Sequence, residues 1–305
     1  MDNFKKLNGY AQEFYNYYDL LNKYIQFNFN NHENNHYKQY KNIVYPSLVN
    51  YMYVGFEHHI KQLYILVYKH LKINNSFNFD PQHFNLKDIP AYVSEGFTIQ
   101  DDKLLLNMTE SVVSYTKQNM SPDTINDLFK RLGIKDIFAE VNKLDTQKYK
   151  SIDFVSEDNI KGRLKFFIQH RNSCSHGLID EYMGEEILMD WIVFLTDCYN
   201  KILTSITPLI FSNSIWSQSF CIKKIYKTNI ICFDNNDNLE LTTDSILCYK
   251  KDNNYFFYNI NGIKSLGSDI VSTKNHEKIG LDISSYYGNK LPNENKKMFI
   301  VNEHK

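Results

Sequence analysis

The chain has 305 residues, 43% hydrophobic, 15% aromatic and 23% charged, with a formal net charge of −1. That is enough for one large domain or two ordinary ones, and 21 Phe with 23 Tyr exclude disorder over most of the chain. A charge so near zero excludes a global field that draws in nucleic acid, so any such binding must come from local patches.

About the first seven-tenths reads as helix. Phe4, Leu7, Ala11, Phe14, Tyr18, Leu21 and Ile25 alternate in steps of three and four, which makes one apolar helical stripe. Asn-rich sequence from Asn28 to Asn35 breaks it. A second stripe follows Pro46: Val49, Met52, Phe56, Ile60, Leu63 and Val67. Asn74 to Ile99, with Pro81 and Pro90, reads as loop and short turns. Asp101-Asp102 is expected to open a helix to about Lys117. Ser121-Pro122 predicts a capped helix start, and Gly133 its end. Ser156, with Glu157 and Asp158 behind it, is the expected N-cap of a helix carrying Ile160, Leu164, Phe167, Ile168 and Arg171 on one face and closing at Gly177. A last long helix has Leu188, Trp191, Ile192, Leu195, Cys198, Tyr199 and Ile202 on one side and is expected to stop near Pro208.

From about Ser214 the period shortens. Phe220–Tyr226, Ile230–Phe233, Leu239–Thr242 and Tyr255–Ile260 read as strands, and Asn261-Gly262 as a hairpin turn. The expected fold is α+β: an all-α helical bundle over residues 1–213, then a small all-β barrel-like domain over 214–305.

No apolar run approaches a membrane span, and the first residues have no signal-peptide core. Five cysteines, with no C-x-x-C pair and none before Cys174, indicate neither a disulfide framework nor a Cys-based zinc site. A cytoplasmic protein without a membrane partner is expected. Only three of the 34 basic residues are arginine: Arg131, Arg163 and Arg171. Lysine is the default cation of this chain, so each arginine is informative.

Three groups of residues could carry chemistry. The first is Arg171-Asn172-Ser173-Cys174-Ser175-His176-Gly177. Arginine offers a planar fork of donors to a phosphate, and histidine moves protons near neutral pH. Cleavage of RNA by its own 2′-hydroxyl needs those two services and requires no cofactor. The plain alternative is an arginine and a histidine capping the helix end, where the dipole favours both. Residues five apart on a helix are about 140° apart, so Arg171 and His176 of one continuous helix diverge. A shared site then needs a distorted helix end or a second chain.

The segment from Phe166 to Gly177 resembles the signature of the HEPN family (higher eukaryotes and prokaryotes nucleotide-binding): Arg, a polar residue, a short spacer and His at the end of a core helix. The resemblance covers roughly residues 40–210, including the helix after Leu188 and, more loosely, Phe56-Glu57. It implies a metal-independent endoribonuclease acting as a toxin or in phage defence, with two chains bringing their Arg/His pairs together. By that resemblance Arg171 holds the phosphate, His176 is acid or base, and Asn172 and Glu57 are auxiliary. An antitoxin or other defence-system partner is also implied. The branch partnered with a nucleotidyltransferase antitoxin has Tyr two residues after the His, where this chain has Leu178, so that partner is not supported. A catalytically silent HEPN module binding nucleotide, RNA or protein remains the alternative.

The second group, His32-Glu33-Asn34-Asn35-His36, matches H-E-x-x-H, the zinc-hydrolase pattern, with Glu57 as a further ligand candidate. Its Asn-rich setting favours a polar loop instead. In the third, lysines of the β region, Lys223 and Lys224 foremost, interleave with Tyr and Phe. With Lys165 they are the candidates for RNA contact. Nearby Asp residues almost neutralise the β-region lysines, and aromatics in a small sheet are ordinarily core.

Overall fold

The structure is a computed structural model and describes residues 2–30, 36–73, 97–100, 103–106, 109–116, 119–144, 159–177, 184–212, 216, 218–227, 229–287 and 291–301. The chain is α+β in two parts: a helical region followed by an antiparallel curled sheet of eight strands. Contacts group it into two compact units, residues 9–202 and residues 1–8 with 203–305.

The helical stripes are the core of the first unit. In α1 (Asp2–Asn30) Ala11, Phe14, Tyr18 and Ile25 are buried, and in α2 (His36–Ile73) Val49, Met52, Phe56, Ile60, Leu63 and Val67 are fully so. Each such side chain contributes about 1.5–3 kcal/mol over leaving it in water. Helix α2 begins ten residues before Pro46 and holds that proline inside it; Tyr40 departs from helical geometry (φ −113°, ψ 16°), which splits the element into two pieces. At Gly55 a Cβ would stand 2.1 Å from the Tyr17 ring, so the close approach of α1 and α2 needs glycine. The Tyr17 and Tyr18 hydroxyls donate to the carbonyls of Tyr51 and Met52 across the same seam.

The helix expected from Asp101-Asp102 to about Lys117 is not found among the described residues: β1 (Phe97–Gln100) and β2 (Lys103–Leu106) pair antiparallel with Gln100 opposite Lys103, and positions 101 and 102 lie outside the described residues. Only the short α3 (Glu110–Val113) follows. In α4 (Pro122–Lys130) Ser121 accepts from the Thr124 N–H, Pro122 opens the helix, and Gly133 beyond it takes φ +89°. The short α5 (Ile137–Val141) is capped by Asp136. Helix α6 (Ile160–Ser175) is capped by Asn159, which accepts from the Gly162 N–H at 2.8 Å; Ser156, the expected cap, lies outside the described residues.

Helix α7 (Glu185–Phe211) buries Leu188, Trp191, Ile192, Leu195, Cys198, Tyr199 and Ile202, and stacks Tyr199 on Phe14 of α1 at 3.8 Å between centroids. It does not stop at Pro208. A proline there removes the N–H that would serve the Thr204 carbonyl. The Thr207 hydroxyl supplies that donor at 2.7 Å, so the helix continues.

In the second unit the strands are β3 (Ser219–Cys221), β4 (Lys224–Tyr226), β5 (Ile230–Asp234), β6 (Ile246–Lys251), β7 (Asn254–Ser265), β8 (Ser268–Asp269), β9 (Lys278–Ser285) and β10 (Lys297–Val301). Their order is β3-β10-β6-β7-β9-β5-β4, with β8 beside β7. β3 and β4 are consecutive in sequence yet lie at opposite ends of this order. The stretch Ser219–Tyr226 therefore pairs with β10 through its first half and β5 through its second, and Phe220 stacks on Phe233 at 4.0 Å. This curls the sheet around Ile231, Leu247, Tyr258, Leu281 and Met298. The other face of β7 is covered within the same unit, where Phe257 meets Phe4 and Phe211.

Two β expectations fail for identifiable reasons. Leu239–Thr242 is not a strand: its backbone bonds are taken by the Asn235 amide and the Thr273 hydroxyl, with Leu239 and Leu241 still buried. Asn261-Gly262 is not a turn but lies at a register shift inside the twelve-residue β7. The turns fall at Asp252-Asn253 (φ 49° and 68°) and Leu266-Gly267 (φ 50° and 88°), which take the positive-φ pair instead.

Candidate functional site

The three arginines have separate surroundings. Arg131 donates to the carbonyls of Val113, the last residue of α3, and of Tyr115 beyond it, the helix-end role weighed for Arg171. Arg163 is buried in α6. Arg171, one turn from the end of α6, donates to no backbone carbonyl and pairs with no carboxylate among the described residues.

Its guanidinium instead lies 4.0 Å from the centroid of the Tyr53 ring, inside cation–π range. Nη1 donates to Asn172 Oδ1 at 3.0 Å, and that oxygen also accepts from Asn119 Nδ2 at 3.2 Å. The Nε of Arg171 is buried without a hydrogen-bond partner among the described residues. The planar head is thus held by a ring and one amide oxygen, and no carboxylate among the described residues pairs with it.

Tyr53 is itself fixed: it is buried, and its hydroxyl accepts from the Met120 N–H at 2.6 Å. Burial, and then the nearby Glu57 carboxylate, push that hydroxyl well above the ordinary phenol range, while Arg171 pulls it partly back. Glu57 sits one turn after Tyr53 on α2 and ion-pairs with Lys61 at 2.7 Å. Arg171, Asn172 and Glu57 therefore converge around a residue that the motif does not contain. The spacing of Tyr53 four before Glu57 puts both on one face of α2 and was the available signal for it.

His176 is the C-cap residue of α6, outside helical geometry (φ −96°, ψ 3°), exposed, with its backbone N–H donating to the Asn172 carbonyl. Its imidazole makes no hydrogen bond among the described residues and none to Arg171. Beside it Ser175 donates to Asn50 Oδ1 at 2.8 Å, tying the end of α6 to α2. On another side of α6, His170 Nε2 is 2.7 Å from the Tyr45 hydroxyl and 3.7 Å from Cys174 Sγ. Burial lowers the His170 pKa and raises that of Cys174 to about 11, so both are neutral near pH 7.

Lys165 is exposed on α6, where its charge acts on Asp123. Lys223 and Lys224 belong to the other unit. Lys223 pairs with Asp234, and Lys224 lies over the Tyr226 ring at 4.8 Å. Tyr255, Phe257 and Tyr258 are buried as core. His32 and Glu33 lie outside the described residues, and His36 opens α2. Among the described residues no three His, Cys, Asp or Glu side chains are grouped to hold a metal ion, and no helix is long and apolar enough to cross a membrane.

Compared with known protein families, characterised proteins and solved structures, the chain finds no match.

Proposed function

We propose that the helical unit is a metal-independent endoribonuclease of HEPN type, working as a homodimer in a toxin or defence role, with Arg171 and His176 at its site. The observation that carries this reading is the Arg171 environment: a guanidinium oriented by Tyr53 and Asn172 that, among the described residues, is spent on neither a helix end nor an ion pair. Such a group suits the extra negative charge of a phosphorane. The exposed imidazole of His176 suits proton transfer.

In the reaction the ribose 2′-oxygen gives up its proton and bonds to phosphorus, the bond from phosphorus to the 5′-oxygen breaks, and that oxygen takes a proton. His176 serves one of these transfers, with Arg171 against the non-bridging oxygens. The products are a 2′,3′-cyclic phosphate and a 5′-hydroxyl.

The test is cleavage of mixed RNAs in EDTA, with end-group analysis and a matched substrate bearing hydrogen at each 2′ position. Cyclic ends from RNA and none from the deoxy substrate are expected, and His176→Ala should be inactive. Cleavage of the deoxy substrate would overturn the mechanism. Failure to cut any RNA would leave the silent binding module.

A further inference from the structure

Asn172 sits beside Arg171, and the chemistry of that contact fixes which way its amide points. A guanidinium only donates, so the Asn172 atom that meets Arg171 Nη1 at 3.0 Å is the amide oxygen. Asn119 approaches the same oxygen at 3.2 Å and must turn its own amide nitrogen to it. Two donors fill the two lone pairs of that oxygen. What is left is the amino group of Asn172 and the amide oxygen of Asn119, flanking the bond between the two side chains. Neither makes a hydrogen bond among the described residues.

The pair is held from both ends. Asn172 lies in the last turn of α6, where its backbone carbonyl accepts from the His176 N–H. The Asn119 carbonyl accepts from the Ser121 N–H at 2.6 Å, and the next residue, Met120, is buried with its N–H bonded to the Tyr53 hydroxyl. Asn119 itself is exposed, so the unused groups face solvent next to Arg171.

We propose that Asn119 and Asn172 together hold the edge of an unpaired nucleobase in the strand whose phosphate Arg171 takes, the placement of that phosphate resting on the ribonuclease reading. A phosphate accepts only, so the Asn119 oxygen has no bond to make with it. A base edge suits both groups. Adenine and cytosine carry an amino N–H beside a ring-nitrogen acceptor, and guanine and uracil a ring N–H beside a carbonyl oxygen. Each therefore offers an acceptor to the Asn172 amide and a donor to the Asn119 oxygen. All four bases match, so the pair tells unpaired bases from paired ones and not one base from another. In a duplex those edges are spent on the opposite strand. The substrate class is single-stranded nucleic acid, and Asn119, which lies outside the motif, selects it. Water serves both amides in the free protein, and a base edge that returns both bonds replaces it without loss.

Fluorescence anisotropy of the full chain tests this with wild type, Asn119→Ala and three labelled probes. These are a mixed-sequence single strand with hydrogen at each 2′ position, the same backbone without bases, and the duplex of the first. Hydrogen at the 2′ position keeps each probe whole. Wild type should bind the single strand about fivefold or more tighter than either other probe. Asn119→Ala should lose about three- to tenfold on the single strand, the worth of one hydrogen bond, and nothing on the base-free backbone. Its melt should match wild type, since the side chain is exposed. An equal loss on both strands would make Asn119 a support of Arg171 and overturn base reading. Wild type that binds the base-free backbone or the duplex as tightly, or binds none of the probes, would overturn it too. RNA cleavage by wild type is measured alongside. The expected binding pattern without cleavage would sink the ribonuclease reading alone, and cleavage with Asn119→Ala binding like wild type would sink base reading alone.

Discussion

The guanidinium of Arg171 rests 4.0 Å from the Tyr53 ring centroid, and Tyr53 in turn is pinned by the Met120 N–H. Orientation thus passes from the segment before α4, through a buried tyrosine, to the arginine of the motif. The hydroxyl and the ring of Tyr53 do different jobs and can be separated. Tyr53→Phe keeps the ring under Arg171 but strands the Met120 N–H, so it should cost about 1–3 kcal/mol of stability and leave cleavage close to wild type. Tyr53→Leu loses the ring as well, and cleavage should fall at least tenfold. Urea melts and initial rates on one RNA check both, and equal activity of the two variants would remove Tyr53 from the site.

Arg171→Lys should be nearly as inactive as Arg171→Ala. Lysine keeps the charge and can still sit over Tyr53, but it cannot present two parallel donors to a phosphate while holding Asn172. Either variant should lose no more than about 2 kcal/mol of stability, the upper range for a partly desolvated cation–π contact. Wild-type turnover by the lysine variant would reduce Arg171 to a packing role.

Acid should destabilise the first unit through His170. Burial holds its folded pKa below the ordinary value, so the neutral form beside Tyr45 and Cys174 is favoured by folding. The folded state then binds fewer protons than the unfolded one. Stability from this group is complete above the unfolded pKa of about 6.5 and is lost as pH falls below it. The melting temperature should drop between pH 7.5 and 5.5, and His170→Gln should shrink that drop. His59 and His70 are lowered by burial in the same sense, so part of the drop should persist in the variant. A pH response identical in wild type and variant would exclude His170 as a contributor.

Thr207 serves two backbones at once, donating to the Thr204 carbonyl and accepting from the Tyr255 N–H at 3.0 Å. Thr207→Val keeps the shape and removes both bonds to buried backbone groups. A loss of about 2–4 kcal/mol is expected in a chemical melt of the full chain. A loss below about 0.5 kcal/mol would mean that the helix past Pro208 does not depend on this hydroxyl.

The long helices were legible because their cores repeat every three or four residues: the α2 stripe from Val49 is buried, and so is the α1 stripe from Phe4 apart from the half-buried Leu21. Signals resting on one or two letters were less secure. Asn261-Gly262 suits a turn by itself, but β7 continues through it to Ser265, and Leu266-Gly267 makes the turn that sets Ser265 opposite Ser268. Asp101-Asp102 resembles a helix start only until the flanking β1 and β2 residues are paired. At Pro208 the Thr207 hydroxyl supplies a donor in place of the N–H that the ring removes. Of the residues at the candidate site, Arg171, Asn172 and His176 belong to the motif. Tyr53, Asn50 and Asn119 do not, because they come from α2 and from the segment before α4, and only tertiary packing brings them to α6.

The stretch Ser219–Tyr226 has a consequence for synthesis. It pairs on one side with β10, whose first residue comes 71 positions after Tyr226 by the numbering of the two strands. Until Lys297–Val301 has left the ribosome, β3 and β6 each hold a row of backbone donors and acceptors with no neighbour. A chain stalled before that point carries two sticky strand edges, the kind that recruit other unfinished chains into aggregates. Stop codons placed just ahead of Lys297 are therefore expected to send the product to inclusion bodies or proteolysis, although they spare every helix described here.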